Sequence, residues 1–221
     1  MISVLRRIAT LASHDLQSLW RTGSNIGALV VYVLSTIFLF YRVFLSVSQP
    51  RLWTSLLWLT LLFSSAFVAS GLFRHLLGSG RTYYFFLARP SELFLSKALT
   101  AFAMQSLVFI LNVVGFAVFL GFPVASAWWF LLALWLSALA VASVFILSTA
   151  VASKADAGGG LTAVLGFPLM VPTLTVSLQA TGLASDGIIG PAFFKHLALL
   201  VGLCILPLLL GAGLFSYLWR D

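Results

Sequence analysis

The chain has 221 residues, 62% of them hydrophobic and only 8% charged, with a mean hydropathy of +1.12. Soluble domains carry about 25% charged residues, so this composition excludes a water-covered globule and makes lipid the solvent for most of the surface. The formal charge of +7 reads as loop Lys and Arg that set membrane orientation, not as a nucleic-acid footprint.

In residues 2–21, Leu5, Ile8, Ala9, Ala12, Leu16, Leu19 and Trp20 fall within one arc at helical spacing, and Arg6, Arg7, Thr10, Ser13, His14, Gln17 and Arg21 fall opposite. The pattern predicts an amphipathic helix lying in the membrane interface. A short helix packed on a partner is the alternative. No cleaved leader is expected, because the first apolar run starts only after Arg21 and is too long for a signal h-region.

A helical span needs about 20 apolar residues, and the charges divide the rest of the chain into runs of that size. Spans are predicted over residues 22–41, 52–73, 98–120, 128–152, 157–182 and 197–219. The stretch from Ala98 to Ser153 holds no charge and is too long for one helix. Gly121-Phe122-Pro123 divides it into a hairpin, and Trp128-Trp129 suits an interfacial aromatic belt. With the N-terminus inside, Arg6, Arg7, Arg21, Arg74, Arg81, Arg89, Lys97, Lys154 and Arg220 lie on the inner side, and only Arg42, Arg51 and Lys195 outside. Positive charge favours the cytoplasm, which predicts both termini inside.

Segment 74–97 is the one sizeable inner connection. Gly78, Ser79 and Gly80 break its start, Tyr83-Tyr84-Phe85-Phe86 forms an aromatic cluster, and Pro90 with Glu92 opens the next helix. The aromatics suit either interfacial anchoring or a docking surface. In the fifth span, Pro168 and Pro172 each remove a backbone hydrogen bond. A plain kink and a moving or re-entrant element both fit, and Thr173, Thr175 and Ser177 are candidates to satisfy the freed carbonyls.

Catalytic and metal chemistry have little to stand on. His14, His75 and His196 lie in three separate segments without ligand spacing. Asp15, Glu92, Asp156, Asp186 and Asp221 all fall outside the predicted spans. Ion relays and intramembrane proteases need polar groups at depth, so both are disfavoured. No phosphate-binding G-x-x-x-x-G-K-[ST] motif occurs, and any ATP must bind another chain. The single Cys204 cannot form an internal disulfide and reads as a small packing residue.

Several ordered pieces carry a resemblance. They are Tyr32-Val33-Leu34-Ser35-Thr36, Leu72-Phe73-Arg74, and Tyr83-Tyr84 through Ala88-Arg89-Pro90 to Leu95-Ser96-Lys97. Phe119 to Val124, Ala152-Ser153-Lys154-Ala155 and Phe167 to Pro172 complete the series. Together they resemble the CcmB family, the permease subunit of the haem-exporting ABC system of cytochrome c maturation. The resemblance implies an all-α, ABC-2-like permease of six transmembrane helices, one domain over residues 1–221, in the bacterial inner membrane. It implies a separate ABC ATPase (CcmA-like), CcmC-like and CcmD-like membrane subunits and a CcmE-like haem chaperone as partners. It also implies haem as the handled ligand of the complex, coordinated by the CcmC-like partner and the chaperone, and no enzyme activity of this chain's own. No residue here is an evident haem ligand, so no haem is expected to be bound directly. The family places ATPase docking between spans two and three, which maps here onto Arg74, Arg81, Tyr83, Tyr84, Phe85, Arg89 and Pro90. Many members carry acidic residues after the Phe-Arg pair, where this chain has His75, Leu76 and Ser79. Two other readings stand beside it. A permease for a lipid-linked glycan or drug would lack neighbouring genes for haem handling. A non-transport scaffold would co-purify with no ATPase.

Overall fold

A backbone in hydrocarbon must satisfy every N–H and C=O internally, so helices follow the apolar runs. The computed structural model describes residues 2–22, 24–44, 49–72, 90–154 and 158–218. Among them it shows seven helices and no strand: α1 (Ile2–Thr22), α2 (Ser24–Phe44), α3 (Pro50–Leu72), α4 (Pro90–Leu120), α5 (Ala127–Lys154), α6 (Gly158–Ser185) and α7 (Pro191–Leu218). The last six are long and apolar enough to cross a membrane. Proline opens α3, α4 and α7, where its missing N–H has no intrahelical partner to lose.

Helix α5 is the centre of the bundle, packed against α3, α4, α6 and α7. Its most apolar stretch is 67% buried, against 17% for those of α2 and α7 at the periphery. Phe130, Leu134, Ser137, Val141, Val144 and Ser148 form one of its buried stripes, and Gly166, Met170, Thr173, Ser177, Ala180 and Ala184 form a buried stripe on α6. Both stripes step by four and three residues, the spacing of a two-helix seam. Lipid tails are as apolar as Leu, so helices in membranes associate through close packing, which small residues permit. Gly166 illustrates this: a Cβ there would meet Ser148 Oγ at 2.9 Å.

Both prolines of α6 lie inside one continuous helix, on its exposed side with Phe167 and Val171. The helix runs on through both prolines, and the rings sit on its outward face. The carbonyls they free are those of Val164 and Pro168. The threonines do not reach them. Thr173 Oγ1 donates to Leu169 O at 2.9 Å and Thr175 Oγ1 to Val171 O at 2.8 Å, each the carbonyl one turn back. Ser177 Oγ has no hydrogen-bond partner among the described residues.

Loops 121–126 and 186–190 share one end of the bundle. Gly121, at φ 75°, ends α4 in the left-handed conformation that glycine adopts most readily. Gly187, at φ 77°, closes α6 with paired bonds, Ile188 N–H to Leu183 O and Gly187 N–H to Ala184 O, the Schellman pattern. Ala125 N–H donates to Ser185 O, and Arg51 pairs with Asp186 at 3.4 Å, tying α3, α5 and α6 together. Trp53 fills the space beneath. Its ring meets Phe116 and Phe122 edge-on, at 5.6 and 5.4 Å between centroids, and Phe130 at 5.9 Å. Its Nε1–H donates to Gly121 O at 3.1 Å.

Candidate functional site

The candidate site gathers at the opposite end of the bundle. Of the residues proposed from sequence for ATPase docking, Arg74, Arg81, Tyr83, Tyr84, Phe85 and Arg89 lie outside the described residues. Pro90 is the first residue of α4, so the head of this helix follows directly on segment 74–89 in the chain.

That head is built unlike an ordinary solvated helix start. Helix α4 has 31 residues, about 46 Å at 1.5 Å per residue, well beyond the roughly 30 Å of hydrocarbon. Its first turns therefore extend past the span expected from Ala98. Yet Glu92, Leu93, Phe94, Ser96, Lys97 and Ala98 are all buried. Phe94 and Ala98 pack with Leu93, Ala101, Ile146 and Ala150, and Leu208 and Ala212 of α7 close the cluster. Gly211 leaves room for the Phe94 ring. Glu92 sits in the first turn, where a carboxylate suits the positive end of the helix dipole.

Helix α1 covers the rest of this head. It packs chiefly on α4, with a lesser contact to α2. Asp15 Oδ2 meets Lys97 Nζ at 2.7 Å, with side chains 12% and 3% exposed. The sequence arc is thus split. Ile8, Ala12, Asp15 and Leu19 form the covered stripe, while Ala9 and Trp20 are exposed beside it. Trp20, at 58% exposure, keeps the place of an interfacial anchor, and Arg6, Arg7, Thr10, Ser13, His14 and Gln17 stay on the open side. Sequence reasoning placed Asp15 and Lys97 apart, as one of five acids outside the spans and one of nine inner cations. Ile8, Ala12, Asp15 and Leu19 step by four, three and four, and that spacing was the available signal.

Histidines do not converge among the described residues. His14 is exposed on α1. His196, half-buried near the start of α7, lies 2.9 Å from Gln179 Oε1 on α6 and 2.6 Å from Ala192 O; His75 lies outside the described residues. Within the spans, Trp58 Nε1–H donates to Thr181 Oγ1 at 3.1 Å and Gln105 Nε2–H to Ser65 Oγ at 2.8 Å. These bonds cross from α3 to α6 and from α4 to α3. Such polar contacts fix helix register in lipid and carry no evident reaction chemistry.

A search among curated proteins found no match. The model of the family described as CcmB protein matches residues 6–216, which takes in α1, all six spans and the head of α4. That family comprises membrane subunits of haem-exporting ABC transporters of cytochrome c maturation, multi-pass proteins of the inner membrane that work with an ATPase and further subunits. From the match over nearly its whole length, this chain belongs to the CcmB family.

Proposed function

We propose that this permease subunit couples ATP hydrolysis on a CcmA-like ATPase to release of the haem-loaded chaperone, and that it does not itself ligate haem or hydrolyse ATP. The family match over residues 6–216 carries the reading. A second observation supports the route. Segment 74–89 leads directly into a helix head held by α1, α5 and α7, so force applied there is delivered to the bundle rather than to a loose end. The partners of the assembly are a CcmA-like ATPase, CcmC-like and CcmD-like membrane subunits and a CcmE-like chaperone. Both termini and the α1 end face the cytoplasm, in keeping with the nine inner and three outer cations.

Docking rests on Tyr83, Tyr84 and Phe85 with Arg74, Arg81, Arg89 and Pro90. Aromatic and Arg anchors dominate interface energies, often above about 2 kcal/mol each on truncation. The Tyr84→Ala/Phe85→Ala variant should therefore insert normally but release the ATPase or uncouple its hydrolysis. Normal ATPase retention and normal cytochrome c maturation in that variant would leave these aromatics as interfacial anchors only.

A further inference from the structure

The Asp15–Lys97 pair is an expensive way to attach a helix. Removing two charges from water costs several kcal/mol per ion, and apolar residues of similar size often stabilise as well or better. Helix α1 already has Ile8, Ala12 and Leu19 on its covered side, so adhesion alone does not require charge there. An ion pair at 2.7 Å supplies direction. It fixes the rotation and register of α1 on α4, which a greasy contact lets slide. Its location gives that constraint a use, because Lys97 lies two turns into the helix that begins at Pro90, where the docking segment ends. Glu92 is buried on the same helix head.

We infer that Asp15 and Lys97 are positioning residues that lock α1 to the head of α4, so that the two helices move as one lever when the ATPase pulls on segment 74–89. This rests on the coupling role proposed above. Without the lock, part of the ATP-driven displacement is spent rotating the head of α4 beneath α1, and less of it passes through Phe94 and Ala98 to α5 and α7.

The test uses the full complex reconstituted in liposomes with haem-loaded chaperone, measuring both ATP hydrolysis and chaperone release. The apolar pair Asp15→Leu/Lys97→Met keeps the packing and should melt at or above the parent temperature and assemble fully. Its chaperone release per ATP should fall about tenfold, within the range of ordinary coupling free energies. The reversed pair Asp15→Lys/Lys97→Asp should recover most of that loss. Unchanged release per ATP in the apolar pair would overturn the inference, leaving a merely structural staple. So would failure of the reversed pair to restore coupling. If the apolar pair does not accumulate, the reversed pair decides alone: near-parental coupling supports the lock and lost coupling overturns it. Parent complex whose hydrolysis ignores this subunit would instead defeat the coupling role itself, a separate outcome.

Discussion

Adding one methyl group to Gly211 should dislodge the head of α4. A Cβ built on Gly211 would lie 2.6 and 2.7 Å from Cε1 and Cε2 of Phe94, far inside van der Waals contact. Phe94 is fully buried among Leu93, Ala98, Ile146 and Ala150, so the ring has no open side to turn toward. Gly115 provides the control. A Cβ there meets Ile37 Cδ1 at 2.5 Å and nothing else closer than 3.9 Å, and a terminal methyl can swing aside by changing rotamer. Both Gly→Ala changes gain about 1 kcal/mol of helix propensity by the measure of soluble helices. Overpacking costs about 1–3 kcal/mol, and the rigid ring puts Gly211→Ala toward the upper part of that range. Gly211→Ala should therefore be about 1–2 kcal/mol less stable than Gly115→Ala. Thermal unfolding in detergent micelles would show this as a midpoint several degrees lower. Adding Phe94→Leu to Gly211→Ala should return part of the loss, because residues in contact do not add independently. Equal midpoints for the two alanine variants, or no recovery with Phe94→Leu, would refute the packing argument.

Trp58→Phe removes the bond to Thr181 Oγ1 and should cost about 0.6 kcal/mol, the average for such bonds in lipid; steric-trapping unfolding in bicelles measures it. A reporter fused after Asp221 should be active only in the cytoplasm, and a periplasmic signal would overturn the orientation read from charge. Replacing His14, His75 and His196 by Ala should leave the haem content of the assembled complex nearly unchanged by absorbance, since no two of them share a segment.

Most of the six spans were legible because charge is so costly in hydrocarbon that a few Lys and Arg mark their boundaries. Gly121 was legible as a break for a different reason: its place after a long apolar run matches a left-handed cap. The head of α4 was harder to read. Lys97 appears in sequence as the charge that ends a cytoplasmic segment, and only tertiary contact with α1 turns it into a buried partner for Asp15. The amphipathic arc of α1 likewise gave the wet side correctly but not the division of the apolar side between α4 and lipid. Pro168 and Pro172 left kink and re-entry open because periodicity does not say which way a proline faces. In the structure both lie on the outward face, inside one continuous helix. The docking residues from Arg74 to Arg89 rest on sequence and resemblance alone.

The rings around Trp53 bear on how anything could travel past this subunit. Trp53, Phe116 and Phe130 are wholly buried, and they join α3, α4 and α5 at one mouth of the bundle. While those contacts hold, a broad flat cargo finds no thoroughfare between these helices, and prising them apart would forfeit three aromatic contacts and the indole bond to Gly121 at once. The least buried of the six spans, α2 and α7, form the outer walls beside this closed mouth.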